Sequence, residues 1–314
     1  MKIAILDDYQ DACRKLDAWK KLAGHDVTVF HDTLKDEDAL AARLKPFEGL
    51  VLIRERTRLT ASLLERLPNL RALSQTGKAG PHIDLAACKK RGIAILEGSG
   101  SPYATAELTW GLVLAAMRRI PQEAENMKKG GWQQTVGVGL RGRMLGIYGF
   151  GRIGSVVAGY GKAFGMRVQV FGREGSAERA KAAGFDTIAS RADFFGSSDV
   201  LSVHVRLAPE TRGLITAQDL ARMKPESVFV NTSRAELVAP GALVAALSAG
   251  RPGFGAVDVY EDEPVLGAAH PLLGLGNALC TPHLGYVEKD GYELYFGAAF
   301  DNLAAFAADK TRPA

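Results

Sequence analysis

Six residues, Gly149-Phe150-Gly151-Arg152-Ile153-Gly154, span the junction of an apolar run, MLGIYGF, and a stretch of helical character, GRIGSVVAGYGKAFG. A strand that feeds a helix through such a turn belongs in a parallel sheet with helices packed on its faces. The first glycine permits the tight turn. Gly151 lets a pyrophosphate approach the backbone, and Gly154 lets the helix pack close to the strand. The helix N-terminus then faces the phosphates. The motif implies a bound dinucleotide, with Gly149, Phe150, Gly151, Arg152, Ile153 and Gly154 as its contacts.

The same alternation runs through the chain. KIAILDD, His25–Phe30, LVLIRER, LRALSQTG and GIAILEG read as strands, with helical stretches around Ala12–Leu22, Asp36–Leu44, Ala61–Leu67 and IDLAACKKRG. They predict a first α/β unit of about 100 residues. Pro102–Arg119 predicts a long helix, apolar nearly all round and hence buried between domains. The polar, glycine-rich segment QEAENMKKGGWQQTVGVGL breaks the pattern, and a second α/β unit begins near Arg143. Lys289–Ala308 predicts an amphipathic helix that returns to the first unit. At 314 residues the chain is long for one core, so two domains are expected.

Several function classes are disfavoured. The net charge is only +4 and no run of five like charges occurs, which disfavours nucleic-acid binding. Three cysteines (Cys13, Cys88, Cys280) lie far apart without metal-ligand spacing, so neither a metal site nor a disulfide framework is expected. The N-terminus lacks a signal-peptide pattern, and no apolar run approaches the roughly 18–20 residues of a membrane span. The expectation is a cytoplasmic protein that does not enter a membrane.

The strand after the fingerprint bears on the cofactor. An NAD site usually ends this strand with an acid that binds the ribose hydroxyls. Here the strand ends Phe171-Gly172-Arg173-Glu174, with glycine at the acid position. A missing carboxylate removes repulsion against a 2′-phosphate, and Arg173 can pair with one. NADP is favoured over NAD, although a small register shift would restore an acid through Glu174.

Three further residues follow in order: Arg234 in VFVNTSRAEL, Glu263 in DVYEDEP and His283 in CTPHLG. They supply what reduction of a 2-keto acid needs: a cation for the carboxylate and carbonyl, a carboxylate to tune a proton donor, and the donor itself. Together with TGKAGPHIDLAACKKRGIAI, LGIYGFGRIG and VHVRLAPETRGLI, these segments resemble the D-isomer-specific 2-hydroxyacid dehydrogenases over nearly the whole chain. The likeness reaches both the phosphoglycerate dehydrogenases and the glyoxylate–hydroxypyruvate reductases.

The resemblance implies two Rossmann-like doubly wound parallel-sheet domains, with the cofactor domain (101–286) inserted into the substrate domain (1–100 plus 287–314) and a cleft between them. It implies that Arg234 holds the carboxylate and polarises the carbonyl. His283 is general acid in reduction and base in oxidation, and Glu263 orients it and favours its protonated form. Glu261 and Asp262 are expected to be solvent-exposed. Amides of the Gly77-Lys78-Ala79 turn meet the substrate carboxylate; the family more often has a glycine where Ala79 stands. Thr232, Asp258 and Thr105 lie near the nicotinamide, and His204 and Thr211 contact the cofactor. Arg206 replaces the family's usual proline; it is either a second ligand for a 2′-phosphate or an exposed loop cation. Tyr286 replaces a small residue and shapes the pocket. A homodimer is implied, with Tyr103–Met117 and the segment bearing Trp132 as the contact.

Strand alternation is expected to send Arg54 and Arg56 to one side. With Arg58 and Lys78 they suggest a second anionic group on the substrate, a pocket closed by an ion pair, or a solvated loop neutralised by Glu55; in related phosphoglycerate dehydrogenases an arginine at the Arg54 position binds the substrate's phosphate. Two alternative functions remain open at this stage: a cofactor-gated binding protein resembling transcriptional corepressors, and a formate or phosphonate dehydrogenase. Retention of Arg234, Glu263 and His283 disfavours the first. Glu263 in place of an amide disfavours the formate enzyme.

Overall fold

The structure is a computed structural model that describes residues 1–309. It divides into two compact units, Met1–Ser101 with Val287–Ala314, and Pro102–Tyr286. The final stretch of the expected substrate domain, 310–314, lies outside the described residues.

The first unit carries five parallel strands, β1 (Lys2–Ile5), β2 (Asp26–Val29), β3 (Gly49–Leu52), β4 (Ala72–Gln75) and β5 (Ala94–Glu97), in the order β2-β1-β3-β4-β5. Its short helices start where an oxygen-bearing side chain satisfies a first-turn amide. Asp36 accepts from Ala39 N at α1 (Glu37–Leu44), Thr60 from Leu63 N at α2 (Ala61–Glu65), and Asp84 from Ala87 N at α3 (Leu85–Lys90). The C-terminal helix Lys289–Ala308 returns to this sheet, where Ser74 Oγ donates to Ala299 O at 2.8 Å. Two expectations fail locally. Ala12–Leu22 forms two 3-10 segments, Cys13–Lys15 and Asp17–Leu22, because Asp8 draws the Ala12 and Cys13 amides to its carboxylate. The strand expected through Arg56 stops at Leu52, and Arg54 takes a left-handed φ of 55°. Alternation therefore no longer governs the arginines.

The second unit holds seven strands, β6 (Met144–Tyr148), β7 (Arg167–Phe171), β8 (Asp186–Thr187), β9 (Val200–Val203), β10 (Val228–Asn231), β11 (Phe254–Val257) and β12 (Ala278–Cys280). All pair in parallel, in the order β12-β11-β10-β9-β6-β7-β8. Side chains alternate between the two faces. Leu145, Ile147, Val228, Val230 and Ala256 pack in one buried cluster, and Tyr148, Leu201, Val203, Phe229 and Val257 in the other. The first face is covered by α4 (Tyr103–Met117) and α6 (Arg152–Ala163), so α4 is buried against its own unit's sheet. The second is covered by α8 (Arg191–Ser197), α9 (Ala217–Ala221) and α10 (Ala242–Ser248).

Between α4 and β6 the segment expected to be irregular contains a helix, α5 (Ile120–Lys128), none of whose residues is buried. The Glu123 carboxylate accepts from the amides of Gln134 and Thr135 and from Thr135 Oγ1, folding the following chain back onto α5. A further helix, α7 (Glu174–Ala182), follows β7 and was not anticipated; its sequence has little apolar periodicity.

Register decides where chemistry can occur. Tyr148 pairs with Phe171 and Val203, Asn231 with Val203 and Val257, and Val257 with Cys280. Six carboxyl ends are thus level. The residue after each is Gly149, Gly172, His204, Thr232, Asp258 and Thr281, in one row along the edge where open α/β sheets bind ligands.

Candidate active site

Next to Gly172, which ends that row, Gly149 turns out of β6 with φ 93°, its amide donating to Phe171 O at 2.8 Å. A side chain there would meet His204 O at 2.7 Å, and one on Gly154 would run into Gly149 O. Both positions require glycine. Gly151 caps α6 without a side-chain hydrogen bond, and a Cβ on it would meet no atom within 4 Å. Open space before uncapped helix amides is what a pyrophosphate needs, so this loop fits a dinucleotide.

Two residues that sequence reasoning missed support the loop. Arg179, on α7, donates from Nε and Nη2 to Phe150 O at 3.2 and 3.1 Å, and Ser176 Oγ lies 3.4 Å from Phe150 N. These contacts arise only when α7 folds back on the loop, so no local pattern announces them. Gly172 follows β7 directly, while Glu174 falls in the first turn of α7, which fixes the register left open in the sequence. Arg173 reaches Glu210 Oε1 at 3.2 Å, both side chains being largely exposed.

His204 lies in the middle of the row, its Nε2 2.9 Å from Ser202 Oγ. Desolvation pushes its imidazole down to about 3, so it is neutral at physiological pH. Arg206 is exposed. Thr211, expected as a cofactor contact, is buried; its hydroxyl closes its own turn, donating to Arg206 O at 2.8 Å and accepting from Ala208 N at 2.8 Å. Thr211 shapes the loop that carries Arg206.

Arg234 follows β10 in a turn built by its neighbours. Asn231 Nδ2 donates to Arg234 O at 2.9 Å, Ser233 Oγ to Val203 O at 2.7 Å, and Arg234 Nη1 to Ser233 O at 2.7 Å. Asn231 and Ser233 pin the backbone from which the guanidinium projects.

Glu263 divides its carboxylate. Oε1 accepts from Tyr260 N at 2.9 Å, and Oε2 lies 2.5 Å from His283 Nδ1. This places the Nδ1 proton between the two groups and leaves Nε2 to face other partners. Glu261 instead meets His270 at 3.1 Å, and both Glu261 and Asp262 are exposed, as expected. His283 itself has φ 52°, a conformation that a non-glycine residue adopts only when held. Asp258 does the holding: it accepts from Thr281 Oγ1 and Leu284 N at 2.7 Å and from Gly285 N at 2.8 Å. Burial raises its carboxyl above the usual range against the pull of those donors. Tyr286 is buried and meets the His283 ring edge-on at 5.3 Å.

The expected substrate residues of the first unit are organised differently from expectation. Arg54 Nη1 lies where a side chain on Gly77 would be, its guanidinium 5.9 Å from the Tyr295 ring. A side chain on Gly77 would have to displace the end of Arg54. Arg56 diverges, donating to Asp7 O and lying 4.5 Å over the Tyr9 ring. Lys78 pairs with Glu97 at 3.0 Å, and the Ala79 amide donates to Glu97 Oε1 at 2.8 Å. The Glu97 carboxylate thus already takes one of the two turn amides expected to meet a substrate.

Comparison with known proteins agrees with this geometry. Residues 110–285 match the model described as "D-isomer specific 2-hydroxyacid dehydrogenase, NAD binding domain". The chain is 38% identical to a glyoxylate reductase of Aeropyrum pernix over 82% of its own length and 79% of that protein's. It belongs to the D-isomer-specific 2-hydroxyacid dehydrogenase family.

A D-3-phosphoglycerate dehydrogenase of Methanocaldococcus jannaschii is 34% identical over 83% of this chain, but only 49% of that protein is covered. The chain spans about half the length of the phosphoglycerate dehydrogenases it matches. Among solved structures, a phosphoglycerate oxidoreductase of Vibrio cholerae O395 superposes with a TM-score of 0.95 at 55% identity, covering 98% of this chain and 99% of that one. The dehydrogenase is thus an oxidoreductase with a nicotinamide cofactor, built on two parallel-sheet domains. Among its described residues no helix is long and apolar enough to cross a membrane.

Proposed function

We propose that this dehydrogenase reduces a small 2-keto acid to its D-2-hydroxy acid, with His283 as proton donor, Glu263 as its partner and Arg234 as the cation for carboxylate and carbonyl. The 2.5 Å contact between His283 Nδ1 and Glu263 Oε2, beyond the carboxyl ends of the same sheet that carries the glycine loop, supports this reading. When bound, a nicotinamide supplies hydride chemistry to the carbonyl carbon. Arg234 pairs with the carboxylate and draws charge toward the carbonyl oxygen. His283 gives its Nε2 proton to that oxygen and becomes neutral, while Glu263 keeps the ring in place. Thr232, Asp258 and Thr105 border the nicotinamide end, His204 contacts the cofactor, and Tyr286 limits the space beside His283. On the first unit, Arg54 and the Lys78 amide of the Gly77–Ala79 turn are read as substrate contacts, the Ala79 amide being held by Glu97. The test is cofactor oxidation with glyoxylate, hydroxypyruvate, pyruvate, phenylpyruvate and phosphohydroxypyruvate, beside formate and phosphite. Turnover with formate or phosphite alone would overturn the reading.

The cofactor read here is NADP in preference to NAD. Glycine stands where NAD enzymes use an acid, and a Cβ there would crowd Ser176 Cβ at 3.0 Å. The exposed Arg173–Glu210 pair is weak, and a phosphate dianion displaces it readily. Arg173→Ala is expected to lower the ratio of kcat/KM for NADPH over NADH by about tenfold or more, the worth of one charge-assisted hydrogen bond. An unchanged ratio would reject this assignment.

The reading also includes a cytoplasmic homodimer. Its support is the arm after α4: Ile120 and Met127 on α5, then Trp132 and Val136, are exposed although the arm is folded by internal hydrogen bonds. Such a patch marks an interface. Wild type is expected to sediment at twice the chain mass at micromolar concentration, and Trp132→Glu at the chain mass. A monomeric wild type contradicts the dimer.

A further inference from the structure

The nicotinamide end of the site is bordered by hydroxyls whose hydrogens can be traced. Thr109 lies on α4, fully buried. Its Oγ1 donates to Thr105 O at 2.7 Å and is also 2.7 Å from Thr232 Oγ1. A hydroxyl has one hydrogen. The backbone carbonyl can only accept, so the Thr109 hydrogen is spent there, and Thr232 must be the donor in the second bond. Its hydrogen points toward α4, and the Thr232 oxygen offers only lone pairs elsewhere. Thr105 is constrained in the same way, because its hydroxyl donates to Gly285 O at 2.7 Å. Asp258, one strand over, is a carboxylate whose oxygens accept from Thr281 Oγ1, Leu284 N and Gly285 N. The side chains of Thr232 and Thr105 therefore present acceptors and no donor, while Asp258, with no exposed surface, spends its oxygens on its own loop.

We propose that Thr109 is a positioning residue that fixes the hydroxyl of Thr232 as an acceptor, so that this end of the site takes a primary amide and rejects a carboxylate. A carboxamide brings two N–H donors to such a wall. A nicotinic-acid ring brings only lone pairs and a negative charge, which a donor-free wall leaves unpaired. Without Thr109's oxygen, the Thr232 hydroxyl is free to turn its hydrogen outward, and the discrimination weakens. This inference rests on the proposal that Thr232 and Asp258 border the nicotinamide.

Equilibrium binding tests it without reference to turnover. Calorimetric dissociation constants are measured for oxidised NADP and for its nicotinic-acid analogue, on wild type, Thr109→Val and Thr109→Ser. Wild type is expected to favour the amide about tenfold or more, a difference of about 1.4 kcal/mol. Thr109→Val, which keeps shape but loses the acceptor, should reduce that ratio at least fivefold; Thr105 retains the remainder. Thr109→Ser should keep the wild-type ratio. A merely structural role moves both affinities together, so an unchanged ratio in Thr109→Val would overturn the proposal. Thermal denaturation checks that the variant folds. If it does not, Thr232→Val removes the acceptor itself and must weaken amide binding selectively; a parallel loss for both ligands would overturn it equally. Failure of the underlying functional reading is distinguishable, since wild type would then bind neither dinucleotide.

Discussion

His283→Ala is expected to lower turnover on the best keto acid by about two to four orders of magnitude, the usual worth of general acid–base catalysis. The expectation follows from how much structure is committed to this one ring. The strained φ of His283, the three donors gathered by Asp258 and the divided carboxylate of Glu263 all serve to place Nε2. Cofactor affinity should change little, because the glycine loop and the row of strand ends do not depend on the imidazole. Near-normal turnover in the variant would show that another group supplies the proton.

Arg234→Lys should be nearly as severe, costing about a hundredfold in kcat/KM. The charge is kept, but a single ammonium cannot grip a carboxylate through two parallel bonds and also reach the carbonyl. The loss should fall on kcat as well as KM, since the arginine acts on charge that grows in the transition state. A variant with altered KM alone would reduce Arg234 to a ground-state binding residue. Thermal stability should be unaffected, because Asn231 and Ser233 hold the turn through backbone atoms and their own side chains.

Much of this was legible in the sequence because it depends on local rules. The strand–glycine–helix order fixes a parallel sheet wherever it occurs, and Gly149 and Gly154 are required by atoms within the same turn or the adjoining strand end. Arg234, Glu263 and His283 were readable because each follows a strand in a recognisable context. Illegible were the contacts that need folding to exist. Asp258 was read as bordering the nicotinamide; that it also clamps the His283 loop depends on β11 and β12 pairing in register. Arg54 was placed by strand alternation, yet Thr76 Oγ1 takes its amide and Gln75 its carbonyl, and the strand ends early. Glu97, at the end of β5, gave no hint that it would bind Ala79 N. The α7 helix lacks an apolar stripe, so periodicity could not reveal it or the arginine it brings to the glycine loop.

The central claim is hydride transfer to C2 of a 2-keto acid with proton delivery from His283. Its most direct test uses NADPH deuterated at C4 of the nicotinamide, incubated with a keto acid such as glyoxylate's homologue pyruvate, with the product analysed by chiral chromatography and mass spectrometry. One deuterium is expected at C2 of the D-hydroxy acid, formed in step with cofactor oxidation and about two to four orders of magnitude more slowly in His283→Ala. Binding of the cofactor without transfer to any keto acid of the panel, or a product of L configuration, would contradict it.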